Sequence, residues 1–123
     1  MDELIAVASS LVGEFELSNE WTAAGAVSAA LRTDKGNIYT GINIDLLCGV
    51  GFCAEHSAVA SMLKKRETRI EMIVAVKADG VVPPCGRCRE MLMQLNAANS
   101  ETKVIINQNT WMRLTELLPN HWL

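Results

Sequence analysis

The chain reads as an α/β sandwich on a mixed sheet of five strands whose last two strands are antiparallel, and three observations carry that reading. Segments with helical periodicity alternate with apolar, strand-like runs in the order αββαβαββα, the pattern of a layered α/β fold. Asp34-Lys35-Gly36 separates two strand-like runs as a turn signal, so that pair reads as an antiparallel hairpin. Gln108-Asn109 is too short to hold a crossover helix, so the strands on either side must be antiparallel neighbours.

The elements follow in order. Leu4, Ile5, Ala8, Leu11, Val12 and Phe15 recur at helical spacing and predict a helix over residues 2–17. Ala26–Thr33 and Asn37–Ile44 are the two strands of the hairpin. Residues 46–52, with Gly49 and Gly51, form a loop. A second helix is predicted over residues 53–66, with Ala54, Ala58, Val59, Met62 and Leu63 as its apolar face. Lys64, Lys65 and Arg66 suit its C-terminal end, where cations meet the negative pole of the helix dipole. Ile70–Ala78 is a continuous apolar strand broken by Asp79-Gly80. Pro83-Pro84 imposes an extended approach to a third helix near 85–98, with Met91, Leu92 and Leu95 inward. Lys103–Asn107 is a buried strand, Thr110–Leu114 turns straight back, and a short helix near 114–118 precedes the tail Pro119–Leu123.

At 123 residues, half of them hydrophobic, the chain is expected to form one domain, residues 1–123, with a real core, and disorder is not expected. The net charge is −3 and no basic run exceeds Lys64-Lys65-Arg66, which disfavours a nucleic-acid partner because phosphate binding needs a basic surface. Met1-Asp2-Glu3-Leu4 lacks a basic n-region and no apolar stretch reaches transmembrane length. No membrane partner is expected, and the expected location is the cytoplasm, where thiols stay reduced. Four cysteines there suggest metal binding or catalysis before disulfides. Cys48, the one outside the motifs below, reads as a small buried hydrophobe, with a place lining a pocket as the other reading.

The chemistry concentrates in Cys53-Ala54-Glu55 and Pro84-Cys85-Gly86-Arg87-Cys88, both at predicted helix starts. Cys85 and Cys88 are spaced i,i+3, so their thiolates share a helix face and can point at one metal. Helix N-termini lower thiol pKa values and so favour the ligating form. Three thiolates leave a fourth tetrahedral position on zinc open, and Glu55, two residues from a ligand, can act as proton shuttle. Two other readings stand beside this one. Cys85 and Cys88 also fit a redox Cys-x-x-C pair or buried structural cysteines. Cys53 and His56 are spaced i,i+3 as well, so Cys53, His56, Cys85 and Cys88 would make a closed structural Cys₃His site without catalysis. If not a ligand, His56 is placed to donate to a thiolate from outside the coordination sphere.

These residues resemble the small cytidine deaminases and, more locally, blasticidin S deaminase. Ser28-Ala29-Ala30-Leu31, Asp34 with Gly36, and Tyr39-Thr40-Gly41-Ile42-Asn43-Ile44 look like the family's first hairpin. Cys53-Ala54-Glu55 and Pro84-Cys85-Gly86-Arg87-Cys88-Arg89-Glu90 look like its two zinc motifs, and Glu116-Leu117-Leu118-Pro119 like its C-terminal segment. The resemblance implies a three-layer sandwich. It implies one Zn²⁺ per chain held by Cys53, Cys85 and Cys88, with Glu55 moving protons and Asn43 contacting the sugar. Asp45 stands where the family uses Glu, and His56 where it carries Arg. Backbone groups near Ala54 and Pro84 are expected to hold the edge of a pyrimidine.

The activity implied is hydrolytic deamination of a small-molecule nucleoside, cytidine or deoxycytidine, to the uridine product and ammonia. A nucleoside antibiotic of the blasticidin S type is the alternative substrate. A homotetramer is implied as well, and Leu46-Leu47, Val50, Phe52 and the tail His121-Trp122-Leu123 are apolar groups in segments expected at the surface. Residues 45–52 and the tail are therefore expected at subunit contacts.

Overall fold

Strand side chains alternate between two faces, and here the two faces meet different helices. In the computed structural model, which describes residues 1–123, the elements run α1 (Asp2–Ser9), β1 (Phe15–Glu16), β2 (Ala23–Thr33), β3 (Ile38–Asp45), α2 (Ala54–Lys64), β4 (Ile70–Lys77), β5 (Gly80–Val82), α3 (Gly86–Leu95), β6 (Lys103–Asn107), β7 (Thr110–Arg113) and α4 (Leu114–Leu117). Short 3₁₀ turns lie at Leu47–Gly49 and Ala97–Glu101. Ala29 and Leu31 of β2, with Ile73 and Ala75 of β4, pack on α2, α3 and α4 through Ala58, Met62, Leu92, Met93 and Leu114. Ala30, Met72, Val74 and Val76 point the other way, onto Leu4, Ile5 and Ala8 of α1. The three layers expected of the sandwich are present.

Five strands form the body of the sheet in the order β3-β2-β4-β6-β7. Only β4 and β6 are parallel, with α3 as their crossover. β6 and β7 are antiparallel across Gln108-Asn109, as the short link requires. The sheet nevertheless has seven strands rather than five. β1 adds to Ala23 and Ala24 of β2, and β5 adds to Ala75–Lys77 of β4. At two and three residues, neither is long enough to show a period in sequence.

α1 stops at Ser9, not at residue 17. Ser9-Ser10 is a weak helical pair, and the Ser10 hydroxyl donates to Val7 O at 2.7 Å, competing for a helix carbonyl. The Gly13 N–H then bonds Gly25 O at 2.9 Å, which draws the chain onto β2 and leaves Phe15 exposed.

Two close approaches fix the parts that surround the cleft. A side chain at Gly41 of β3 would lie 2.3 Å from Ala58 N and 2.5 Å from Ser57 Cβ, so α2 lies flush on β3 only because this residue is glycine. Beyond β3, Ile44 and Phe52 exchange two backbone hydrogen bonds of 3.0 and 2.9 Å and cinch residues 45–51 into a closed loop. A Cβ at Gly51 would lie 2.2 Å from Ile44 O, so the cinch closes only over a glycine. Cys48 sits on this loop, exposed and with φ 59°, so the buried reading of it is corrected: the tight 3₁₀ turn leaves its side chain in solvent.

At the other end of α2, Arg66 takes φ 63° and turns Glu67 inward beneath the β2–β3 hairpin. Glu67 Oε2 accepts from Asn37 Nδ2 at 2.9 Å and from the Tyr39 hydroxyl. No helix is long and apolar enough to cross a membrane.

Candidate active site

Two helix starts converge at the C-terminal ends of β2's neighbours. Cys53 (φ −71°, ψ 156°) and Cys85 (φ −70°, ψ 169°) are the extended residues that precede α2 and α3. Both sulfurs therefore sit at the positive ends of helix dipoles. Cys88 follows one turn into α3 and is fully buried. The sequence separates Cys53 from Cys85 by two strands, and the packing of α2 and α3 on one face of the sheet brings them together.

The three sulfurs lie within 4.8 Å of one another, with Cys53 Sγ and Cys85 Sγ 3.5 Å apart. Two thiolates at ~2.3 Å from a tetrahedral zinc lie about 3.8 Å apart, so this donor set fits the metal and leaves one position open. His56 is not part of the converging set. Its Nδ1 lies 3.7 Å from Cys88 Sγ, and its ring stacks on Phe52 with centroids 5.9 Å apart and planes 13° from parallel. Its ring nitrogens are not among the ligand atoms that all lie within 4.8 Å of one another, so the closed Cys₃His arrangement is not formed.

The thiols are not equivalent. Burial pushes Cys88 up, and the Glu55 carboxylate adds to the rise. Burial also raises Cys53, with Cys85 beside it. Cys85 feels burial too, but the amide of Cys88, the Cys53 and Cys88 thiols and the amide of Arg87 bring it below its usual value. In His56, burial and then the Arg87 cation lower the pKa, which favours the neutral ring.

Glu55 stands in the first turn of α2, 4% exposed, and burial raises its pKa. It borders a cleft of about 420 Å³ that also meets Cys53 and Cys85. That volume lies within the usual range for small-molecule sites. Asn43, Asp45 and Ala54 line this cleft. Asn43 Oδ1 accepts the Val27 N–H at 3.0 Å, which orients the amide. Asp45 is exposed at the rim. Pro84 falls elsewhere: it is buried and borders a small inner void with Glu55, while Pro83 is the proline that lines the cleft. The difference follows from the extended Pro-Pro segment, whose neighbouring residues face opposite sides.

Sequence reasoning missed Val27, Ala75, Val82, Pro83 and Arg87, which also line the cleft. Arg87, the only basic side chain there, was the one with a signal, lying between two proposed ligands. Val82 belongs to the short β5, which left no pattern.

Residues 3–104 match the family described as the cytidine and deoxycytidylate deaminase zinc-binding region. Over 98 residues, 77% of this chain and 71% of the relative, the sequence is 32% identical to a cytidine deaminase of Mycobacterium tuberculosis. It is 36% identical over 76 residues to a blasticidin-S deaminase of Bacillus cereus, 54% of each chain. The crystal structure of the Mycobacterium tuberculosis cytidine deaminase superposes with a TM-score of 0.82 at 27% identity, covering 99% of this chain and 96% of that one. With sulfurs, carboxylate and cleft arranged on that fold, the chain belongs to the zinc-dependent cytidine and deoxycytidylate deaminase family.

Proposed function

We propose that this chain, acting as one deaminase domain, hydrolyses the exocyclic amine of a cytosine-type nucleoside, releasing ammonia and the uracil-type product. The observation that carries the reading is the convergence of three sulfurs beside a cleft that two of them, Cys53 and Cys85, and a buried carboxylate line. Cys53, Cys85 and Cys88 would hold one zinc per chain. Zinc bound there supplies Lewis acidity that brings the pKa of water to about 7.

The chain's own residues do the rest. Glu55 accepts the proton that the attacking water loses and delivers it to ring nitrogen N3; it then takes the remaining proton from the new C4 hydroxyl and passes it to the departing amine, so that ammonia leaves as the C4 carbonyl forms. Burial raises its pKa, which favours the protonated carboxyl and eases uptake of the proton. Asn43, oriented by Val27, takes the sugar, and Asp45 at the rim reaches toward a sugar hydroxyl. The Ala54 backbone and the Pro83-Pro84 segment hold the edge of the base. Val27, Phe52 and Val82 exclude water from it. His56 acts on the Cys88 thiolate from outside the coordination sphere.

A nucleoside antibiotic of the blasticidin S type is the second reading. The identity to the Bacillus cereus enzyme supports it. A homotetramer is part of the proposal, because Val50 is 67% and Trp122 is 87% exposed on segments beside the cleft and at the tail. A cytoplasmic location and a place in pyrimidine salvage follow from a free nucleoside as substrate.

An absorbance assay on cytidine, deoxycytidine, cytosine and blasticidin S tests the reading. Turnover of the nucleosides and not of the free base is expected. No ammonia from any of the four, with zinc present, would reject it.

A further inference from the structure

Cys88 is locked in the core, but Cys85 is exposed and precedes its helix in extended conformation. Packing alone therefore does not hold it. The two residues before it are prolines, which offer no N–H for anchoring. Their carbonyls are the polar handles that remain.

One residue grips both peptides around Cys85. The Arg89 backbone N–H bonds Cys85 O at 3.0 Å, and the Arg89 Nε donates to Pro84 O at 2.9 Å. Those carbonyls belong to the peptide planes on either side of the Cys85 Cα, so together they set its φ and ψ. The far side of the guanidinium, Nη1, donates to Leu117 O at 3.2 Å. That oxygen is a C-terminal carbonyl of α4, where a cation is favourable. α4 is itself fixed, with Leu114 fully buried and its N–H bonded to Thr102 O at 2.9 Å.

We infer that Arg89 is a positioning residue: it clamps the Pro84–Cys85 segment to the end of α4 and so holds the Cys85 thiolate in register with Cys53 and Cys88. The inference rests on the reading of Cys85 as a zinc ligand. It gives the C-terminal segment a role in the metal site although none of its residues lines the cleft. Pro84 borders the same inner void as Glu55, so the clamp also holds the wall behind the proton shuttle. A planar fork can donate to two carbonyls at once, and an ammonium on a flexible stem cannot reproduce it.

The test is zinc affinity of the full chain by chelator competition, beside the thiolate-to-metal absorption of the cobalt-substituted protein. Arg32→Gln serves as control, since the Arg32–Glu71 pair at 3.0 Å ties β2 to β4 without lining the cleft. Arg89→Gln is expected to weaken zinc binding by at least about 10-fold and to weaken the cobalt–thiolate band, with Arg89→Lys intermediate and Arg32→Gln near wild type. Should Arg89→Gln fail to fold, Arg89→Lys decides alone. Wild-type zinc affinity in the folded Arg89 variants, or an equal loss in Arg32→Gln, would overturn the inference. A wild-type chain that bound no zinc would instead defeat the proposed function.

Discussion

α2 carries a buried glutamate at each end, and the two are opposites. Glu55 in its first turn is 4% exposed, and Glu67 just beyond its last turn is 7% exposed. Around Glu67 the Tyr39 hydroxyl, then Thr33 and Asn37, outweigh burial and hold the carboxyl below its usual range. Around Glu55, burial outweighs the help of its own amide and the Cys88 thiol, and the pKa rises. The Glu67 carboxylate gives one oxygen, Oε2, to two donors and ties a hairpin to a helix, while its buried Oε1 has no partner. The Glu55 carboxyl faces a cleft. Burial makes neither of them functional; the number of donors turned toward each decides.

The largest expected effect is on the metal proposed beside Glu55. Replacing Cys53, Cys85 and Cys88 together by Ser should take zinc from about one per chain to none and abolish turnover, as metal analysis beside activity would show. Full metal occupancy in that variant would remove the distinction between the two ends of the helix.

Next comes the direct contrast. Glu55→Gln should keep zinc and fold while losing about 10²–10⁴-fold in turnover. Glu67→Gln should melt at a lower temperature and retain turnover close to wild type. Interchanged results would break the comparison.

The pH dependence of stability sharpens it further, measured by circular dichroism on the metal-free chain. Glu67 is held low, so its contribution is present above its ordinary value of 4.5 and is lost as pH falls through the lowered value. Tyr39→Phe removes the leading cause and should move the acid midpoint to higher pH. Glu55 has the reverse sign: its contribution is full below 4.5 and is lost as pH rises through the raised value. Glu55→Gln should flatten that decline. An acid midpoint unmoved by Tyr39→Phe would contradict the assignment of the hydroxyl as the main partner.

The smallest effect concerns His56, next to Glu55 in sequence. His56→Arg should leave zinc bound and change turnover modestly. Loss of the metal there would return the imidazole to the ligand set.

The two ends of α2 were unequally legible in the sequence. Cys53-Ala54-Glu55 stood out because ligand chemistry demands particular residue types at particular spacings. Glu67 follows Lys64-Lys65-Arg66 and reads as one more solvated charge, because its partners Tyr39 and Asn37 come from a hairpin far away in the chain. The same reason hid Arg89, whose carbonyl partners are five residues upstream and 28 downstream. The five long strands and the antiparallel final pair were readable from period and link length. The end of α1 at Ser9 was not, since Leu11, Val12 and Phe15 continue the helical spacing while serine and glycine end the helix. Cys48 was misjudged because type favours burial and only the backbone of the loop puts it outside.

The paired hydrogen bonds between Ile44 and Phe52 have a consequence for descent. They return the chain to the same point whatever lies between, so Cys53 inherits its place from Phe52 and not from the residues of the loop. Insertions, deletions and exchanges among residues 45–50 can then accumulate without shifting the sulfur or the carboxylate two residues later. A chain built this way can vary the rim of its cleft while the sulfur and the carboxylate beneath keep their places.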